Sequence, residues 1–123
     1  LALGNGLDAS KISHSAEVVQ AYQRDRLVHD RITARLAHFI QSRGVRVRAS
    51  APQWNLPTLL LYAGDDRLVN PDGSRRFAAT APPRWVQARC FDGLYHEIFN
   101  EADPTPVYDA LYSWLDRLVP PDR

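Results

Sequence analysis

The order of elements predicts an α/β protein built on parallel strands with helices packed against them. Three observations carry this. Leu56-Pro57-Thr58-Leu59-Leu60-Leu61-Tyr62-Ala63-Gly64 is continuously apolar and does not alternate, as in a strand covered on both faces. Trp85–Phe91 is a second strand, and the helix-forming stretch between the two implies a right-handed crossover. Finally, Val107, Ala110, Leu111, Trp114, Leu115 and Leu118 form one apolar stripe on a helix from about Pro104 to Val119, suited to docking on a sheet face.

Taken in chain order, Leu1 to Ser13 has no hydrophobic period and reads as loop. Ser15 caps a helix over Ala16–Arg24, whose apolar members are Val18, Val19 and Tyr22. Asp30 is the next cap candidate. Ile32, Leu36, Phe39 and Ile40 follow on one helical face, and Gly44 ends that helix as a C-cap. Arg43, Arg46 and Arg48 then alternate with Val45 and Val47, which reads as a solvated connector in preference to a phosphate-binding stripe. After the first strand, Asn70-Pro71 supplies an N-cap and an N1 proline for a helix to about Thr80, and Pro82-Pro83 stops it. Pro120-Pro121 ends the last helix, and Asp122-Arg123 reads as a C-terminus. Two buried-type strands cannot close a core under these helices, so the pattern asks for a partner sheet.

Composition narrows the function classes. Hydrophobic residues at 45% and charged residues at 24% exclude wholesale disorder. The net charge of +1 provides no long-range field for polyanions, and no aromatic-basic motif occurs, so nucleic acid is not an expected partner. Lys11 is the only lysine, a skew that reads as codon bias. Cys90 is the only cysteine; it can form no internal disulfide, its neighbours suggest a packed thiol, and a reducing, cytoplasmic location is expected. No histidine pair has HExxH-type spacing, so no metal site is expected. The chain has no methionine and starts at Leu1, which predicts a segment of something longer.

In open parallel sheets, chemistry sits just past the carboxyl ends of the strands. Gly64-Asp65-Asp66-Arg67-Leu68-Val69 follows the first strand and Asp92-Gly93-Leu94-Tyr95-His96-Glu97 the second. One crossover separates them, so an acid and a histidine belong at adjacent strand ends. An imidazole base needs such a neighbour: a carboxylate on Nδ1 sets the tautomer and stabilises the imidazolium formed when Nε2 takes a proton. Glu97 and Glu101 read as first-turn acids beside a helix N-terminus, since nothing supplies the sugar cleft of a glycosidase. His38 reads as solvated, His29 precedes a cap and His14 lies in loop.

The stretch Leu59-Leu60-Leu61-Tyr62-Ala63-Gly64-Asp65-Asp66-Arg67-Leu68-Val69-Asn70-Pro71 resembles the strand and acid loop of α/β-hydrolases, closest to monoacylglycerol lipases and lysophospholipases of the serine aminopeptidase-like group. Gly93-Leu94-Tyr95-His96-Glu97-Ile98-Phe99-Asn100-Glu101 is similar to the histidine loop of that branch. Asp25-Arg26-Leu27 resembles the end of its cap region, with Arg26 where the family usually has proline. The resemblance spans essentially the whole chain and implies the C-terminal part of an α/β-hydrolase fold: residues 1–50 a cap remnant and connecting helix, residues 51–123 the last two parallel strands with their helices.

By the same resemblance Asp66, directly before Arg-Leu-Val, is the triad acid and His96 the general base. Leu94, Tyr95 and Ile98 flank the base and have the better claim to a substrate pocket. Val18, Val19, Tyr22, Ile32, Leu36, Phe39 and Ile40 either line such a pocket or, the favoured reading, pack the cap on the core. The family order is Ser, Asp, His. None of the serines at 10, 13, 15, 42, 50, 74 and 113 lies in a G-x-S-x-G elbow, so the nucleophile and the oxyanion hole are expected upstream of residue 1. The implied activity is a serine ester hydrolase on a lipid-like ester, without metal or organic cofactor, with at most peripheral membrane contact and with the N-terminal half of the core as the missing partner. The segment alone is expected to be inactive. The competing reading is a non-catalytic hydrolase half acting as an interaction module. A third keeps the fold and changes the chemistry, toward peptidases, haloperoxidase-like proteins or dehalogenases.

Overall fold

Residues 2–118 are described by a computed structural model. Val119, the Pro120-Pro121 stop and the Asp122-Arg123 terminus lie outside the described residues. The elements run β1 (Ala2–Gly4), α1 (Ala16–Arg24), β2 (Arg31–Thr33), α2 (Ala34–Ser50), β3 (Thr58–Ala63), α3 (Asp72–Thr80), β4 (Val86–Phe91) and α4 (Thr105–Leu118). Short 3₁₀ turns cover Ala9–Lys11, Ala51–Gln53 and Ile98–Asn100.

The second half is the expected βαβα unit. β3 and β4 pair in parallel, from Thr58 opposite Val86 to Ala63 opposite Phe91. Alternation along the strands feeds two small cores, one on each face. Ala51, Phe77, Ala81 and Val86 pack with Leu60 and Trp54 on the α3 side. Ala63, Phe91, Ile98 and Val107 pack with Leu61 on the α4 side. Val107 is fully buried, a contribution of roughly 2 kcal/mol from side-chain burial. The α4 stripe docks only in part: Ala110, Leu111 and Trp114 are half-buried, whereas Leu115 and Leu118 are exposed. A two-stranded sheet is too narrow to cover a helix of this length.

Local signals placed α1 and α3. Ser15 accepts from the Val18 amide and starts α1 as expected. Asn70 Oδ1 accepts from the Asp72 amide at 2.9 Å, and α3 begins just after Pro71, one residue later than predicted.

The first half departs from expectation in three places. Leu1 to Ser13 is not all loop: β1 pairs antiparallel with β2, Leu3 opposite Ile32. That pairing draws residues 31–33 into a strand, so Thr33, and not Asp30, caps α2, its hydroxyl accepting from the Leu36 amide at 3.1 Å. Gly44 does not end the helix either. α2 continues through it to Ser50, and residues 43–48, exposed apart from Gly44, are helix in place of a connector. A helical glycine costs about 1 kcal/mol relative to alanine. A Cβ added at Gly44 would meet the Arg48 guanidinium at 3.5 Å and one at Gly73 on α3 would meet it at 3.8 Å, both ordinary van der Waals contacts, so space does not demand glycine at either position.

Gly64, just past β3, is required by space. A Cβ there would lie 2.5 Å from the Asp92 Cα, because the two loops cross at that point. Gly64→Ala should therefore destabilise the protein by roughly 1–3 kcal/mol through overpacking. Gly93→Ala, with nothing within 4 Å of the added carbon, should stay within about 0.5 kcal/mol. Urea unfolding of the two variants side by side checks this, and equal losses would refute the steric argument.

Candidate active site

Parallel register brings the ends of β3 and β4 level, and a few backbone bonds carry the loops onward together. The Gly64 amide donates to the Phe91 carbonyl at 2.8 Å and the Asp65 amide to the Leu94 carbonyl at 3.2 Å. Above them, His96 Nδ1 lies 2.8 Å from Asp66 Oδ2. The Asp66 side chain is 11% exposed and the His96 ring 41%. Asp66 Oδ1 is occupied by the amides of Leu68 and Val69, both at 2.9 Å.

Burial opposes ionisation of Asp66, but the Val69 amide, the His96 imidazole and the Leu68 amide outweigh it and hold the carboxyl below the usual aspartate range. An ionised carboxylate only accepts, so Nδ1 carries the ring proton and Nε2 holds the lone pair. The arrangement can orient an imidazole, take a proton at Nε2 and stabilise the cation that results.

The geometry separates two adjacent aspartates. Asp65 turns to solvent and pairs with Arg67, at 3.1 Å from its Nη2. Asp66 turns inward to the imidazole. Cys90 takes no part: its half-buried thiol donates to Asp92 Oδ1 at 3.2 Å, and burial together with that carboxylate pushes its pKa up, away from a reactive thiolate.

Of the three residues expected at the pocket wall, one is buried in the core and two are half-buried beside the base. Ile98 is buried in the α4-side core, so core packing takes its surface, whereas Leu94 packs against the same cluster and stays half-buried. The Tyr95 ring stacks on His14 at 3.6 Å between centroids, and the Arg67 guanidinium lies 5.3 Å from the same ring. Of the cap residues, Leu36, Phe39 and Ile40 are exposed. Tyr22 instead lines a cavity of about 200 Å³ with Leu7, Ile12, Val28 and Leu68, between the first half of the chain and the acid loop.

Glu101 is not the first-turn acid expected: it follows the Ile98–Asn100 turn and precedes α4. It is buried, and the Tyr95 amide and both the amide and the ring of His14 hydrogen-bond to it. Its partner His14 is 87 positions away, so no local spacing could have signalled the contact. Burial raises the Glu101 pKa, but the amides of Tyr95 and His14 and the His14 imidazole outweigh burial, and the net direction is down. A depressed carboxyl contributes stability that is complete above its ordinary pKa and lost as pH falls through the lower folded value. Urea midpoints of the wild type should therefore exceed those of Glu101→Gln at pH 7, and the gap should close as the pH is lowered toward 3. A gap independent of pH would contradict this.

Parallel strands flanked by helices, with an acid and an imidazole in contact past their carboxyl ends, are part of an α/β-hydrolase fold. A family model described as serine aminopeptidase, S33, matches residues 1–103, and the chain belongs to that family. It is 34% identical over 110 residues to a monoacylglycerol lipase of Mycolicibacterium smegmatis, covering 89% of this chain and 39% of that protein. It is 28% identical over 123 residues to the phospholipase YtpA of Bacillus subtilis, covering 97% of this chain and 46% of that one. Among solved structures, the monoacylglycerol lipase of Paleococcus ferrophilus superposes with a TM-score of 0.90 at 32% identity, covering 97% of this chain and 47% of that one. The chain thus spans less than half the length of each of these relatives.

Proposed function

We propose that this chain supplies the acid and the general base of a serine hydrolase that cleaves carboxylic esters of lipid type, as in monoacylglycerol lipases and lysophospholipases. The 2.8 Å contact between His96 Nδ1 and Asp66 Oδ2, with the ring otherwise open, is the observation that carries the reading. In this scheme His96 Nε2 takes the proton of a serine hydroxyl as that oxygen attacks the ester carbonyl, then gives it to the departing alcohol. In the second half-reaction the same nitrogen takes a proton from water and returns it to the serine. Asp66 stays ionised and balances the imidazolium. The serine and the amides for the oxyanion come from residues outside these 123, and residues 1–50 act as the cap over a core formed from residue 51 onward. The cavity beside Leu68 and Tyr22 supports an apolar site next to the acid loop.

The exposed apolar residues of α2, Leu36, Phe39 and Ile40, favour the second reading, a non-catalytic docking module. One experiment separates the two. The complete polypeptide containing these residues is treated with a fluorophosphonate probe and then assayed on monoacylglycerol, lysophospholipid and an aminoacyl amide. Labelling with preferential hydrolysis of the esters supports the proposal. Absence of labelling favours the module, and preference for the amide moves the chemistry to peptidases.

A further inference from the structure

Five positions beyond the base, the chain buries a carboxylate that the reaction above does not use. The Glu101 side chain is 2% exposed, and three N–H donors converge on it. Oε1 accepts from the Tyr95 amide at 2.6 Å and from His14 Nδ1 at 3.0 Å. Oε2 accepts from the His14 amide at 3.0 Å, and the Ser13 hydroxyl, which donates to the Asn100 carbonyl at 2.9 Å, lies 3.4 Å from it. Removing such an acceptor leaves several buried donors unpaired.

These bonds bracket the base. The amide just before His96, that of Tyr95, ends on Glu101; the amide just after it, that of Glu97, donates to the Ile12 carbonyl at 2.8 Å. Both tethers lead to the Ile12–His14 segment at the other end of the chain. The Tyr95 ring is clasped as well, by His14 stacked on it and by Arg67 from the acid loop. The loop bearing the imidazole is therefore fastened to the segment preceding α1 and to the acid loop through one buried carboxylate and one aromatic ring.

We infer that Glu101 is a positioning residue for His96: by holding the Tyr95 amide and the Ser13-His14 turn together, it sets the imidazole against Asp66. The inference rests on reading His96 as the general base. Displacing a reacting group by about 1 Å can cost on the order of 10²-fold in rate.

The test compares Glu101→Ala, Glu101→Gln and His96→Ala in the complete protein, with p-nitrophenyl butyrate as substrate and cooperative unfolding as the check on folding. Glu101→Ala should lower kcat by roughly 10–100-fold with KM within about twofold. Glu101→Gln keeps the shape but turns an amide group toward donors, and it should lose about 5-fold or more in kcat. In both, the downfield proton resonance of His96 Nδ1 should shift or broaden, which a purely structural role would leave in place. A folded Glu101 variant with wild-type kcat and an unmoved resonance overturns the inference while the base assignment stands. Should Glu101→Ala fail to fold, the isosteric Glu101→Gln decides by the same criteria. If His96→Ala retains activity, the base assignment itself falls, and this inference falls with it.

Discussion

Replacing His96 by alanine should reduce ester turnover by the complete protein roughly 10⁴-fold or more, and fluorophosphonate labelling should fall in parallel. The size follows from the role. In the proposed mechanism, loss of the imidazole leaves no group to take the serine proton, and the later steps lose their acid as well. The ring is 41% exposed, so its removal opens no internal cavity, and the variant should unfold at nearly the wild-type temperature. Turnover within tenfold of wild type would show that the proton goes elsewhere.

Asp66→Asn should cost about 10⁴-fold in kcat. The amide cannot balance an imidazolium, and its NH₂ group favours the wrong ring tautomer. Asp65→Asn is the internal control: its carboxylate faces Arg67 on an exposed turn, and a change below about threefold is expected there. Because Asp66 is held below the usual aspartate range, it is ionised throughout the neutral region. Its protonation should thus limit the rate only at pH values below that range. Equal losses in the two asparagine variants, measured as kcat on p-nitrophenyl butyrate, would remove the distinction between the neighbours.

Much of the second half was legible from residues close together in the chain. A continuous apolar run, a capped helix and a second run are local patterns, and parallel pairing of β3 with β4 follows from the crossover between them. The acid and the histidine were legible for the same reason, since strand ends are where such sheets place chemistry. The first half was less so. A three-residue strand has no period to detect, and β1 exists only because β2, some thirty residues later, supplies its hydrogen bonds. Ile32 suits a helical face as well as a strand; the partner strand decided it.

What the amino-acid order determined by itself was the βαβα unit and the placing of Asp66 and His96 at neighbouring strand ends. Side-chain period, proline and glycine act over a few residues, and their physics is complete within that range. Only the tertiary structure decided that Asp65 turns to Arg67, that Ile98 belongs to the core, and that Glu101 joins both ends of the chain beside His96. Those outcomes depend on which donors and apolar surfaces arrive from distant positions, and a buried carboxylate is stable only where the fold brings its partners to it.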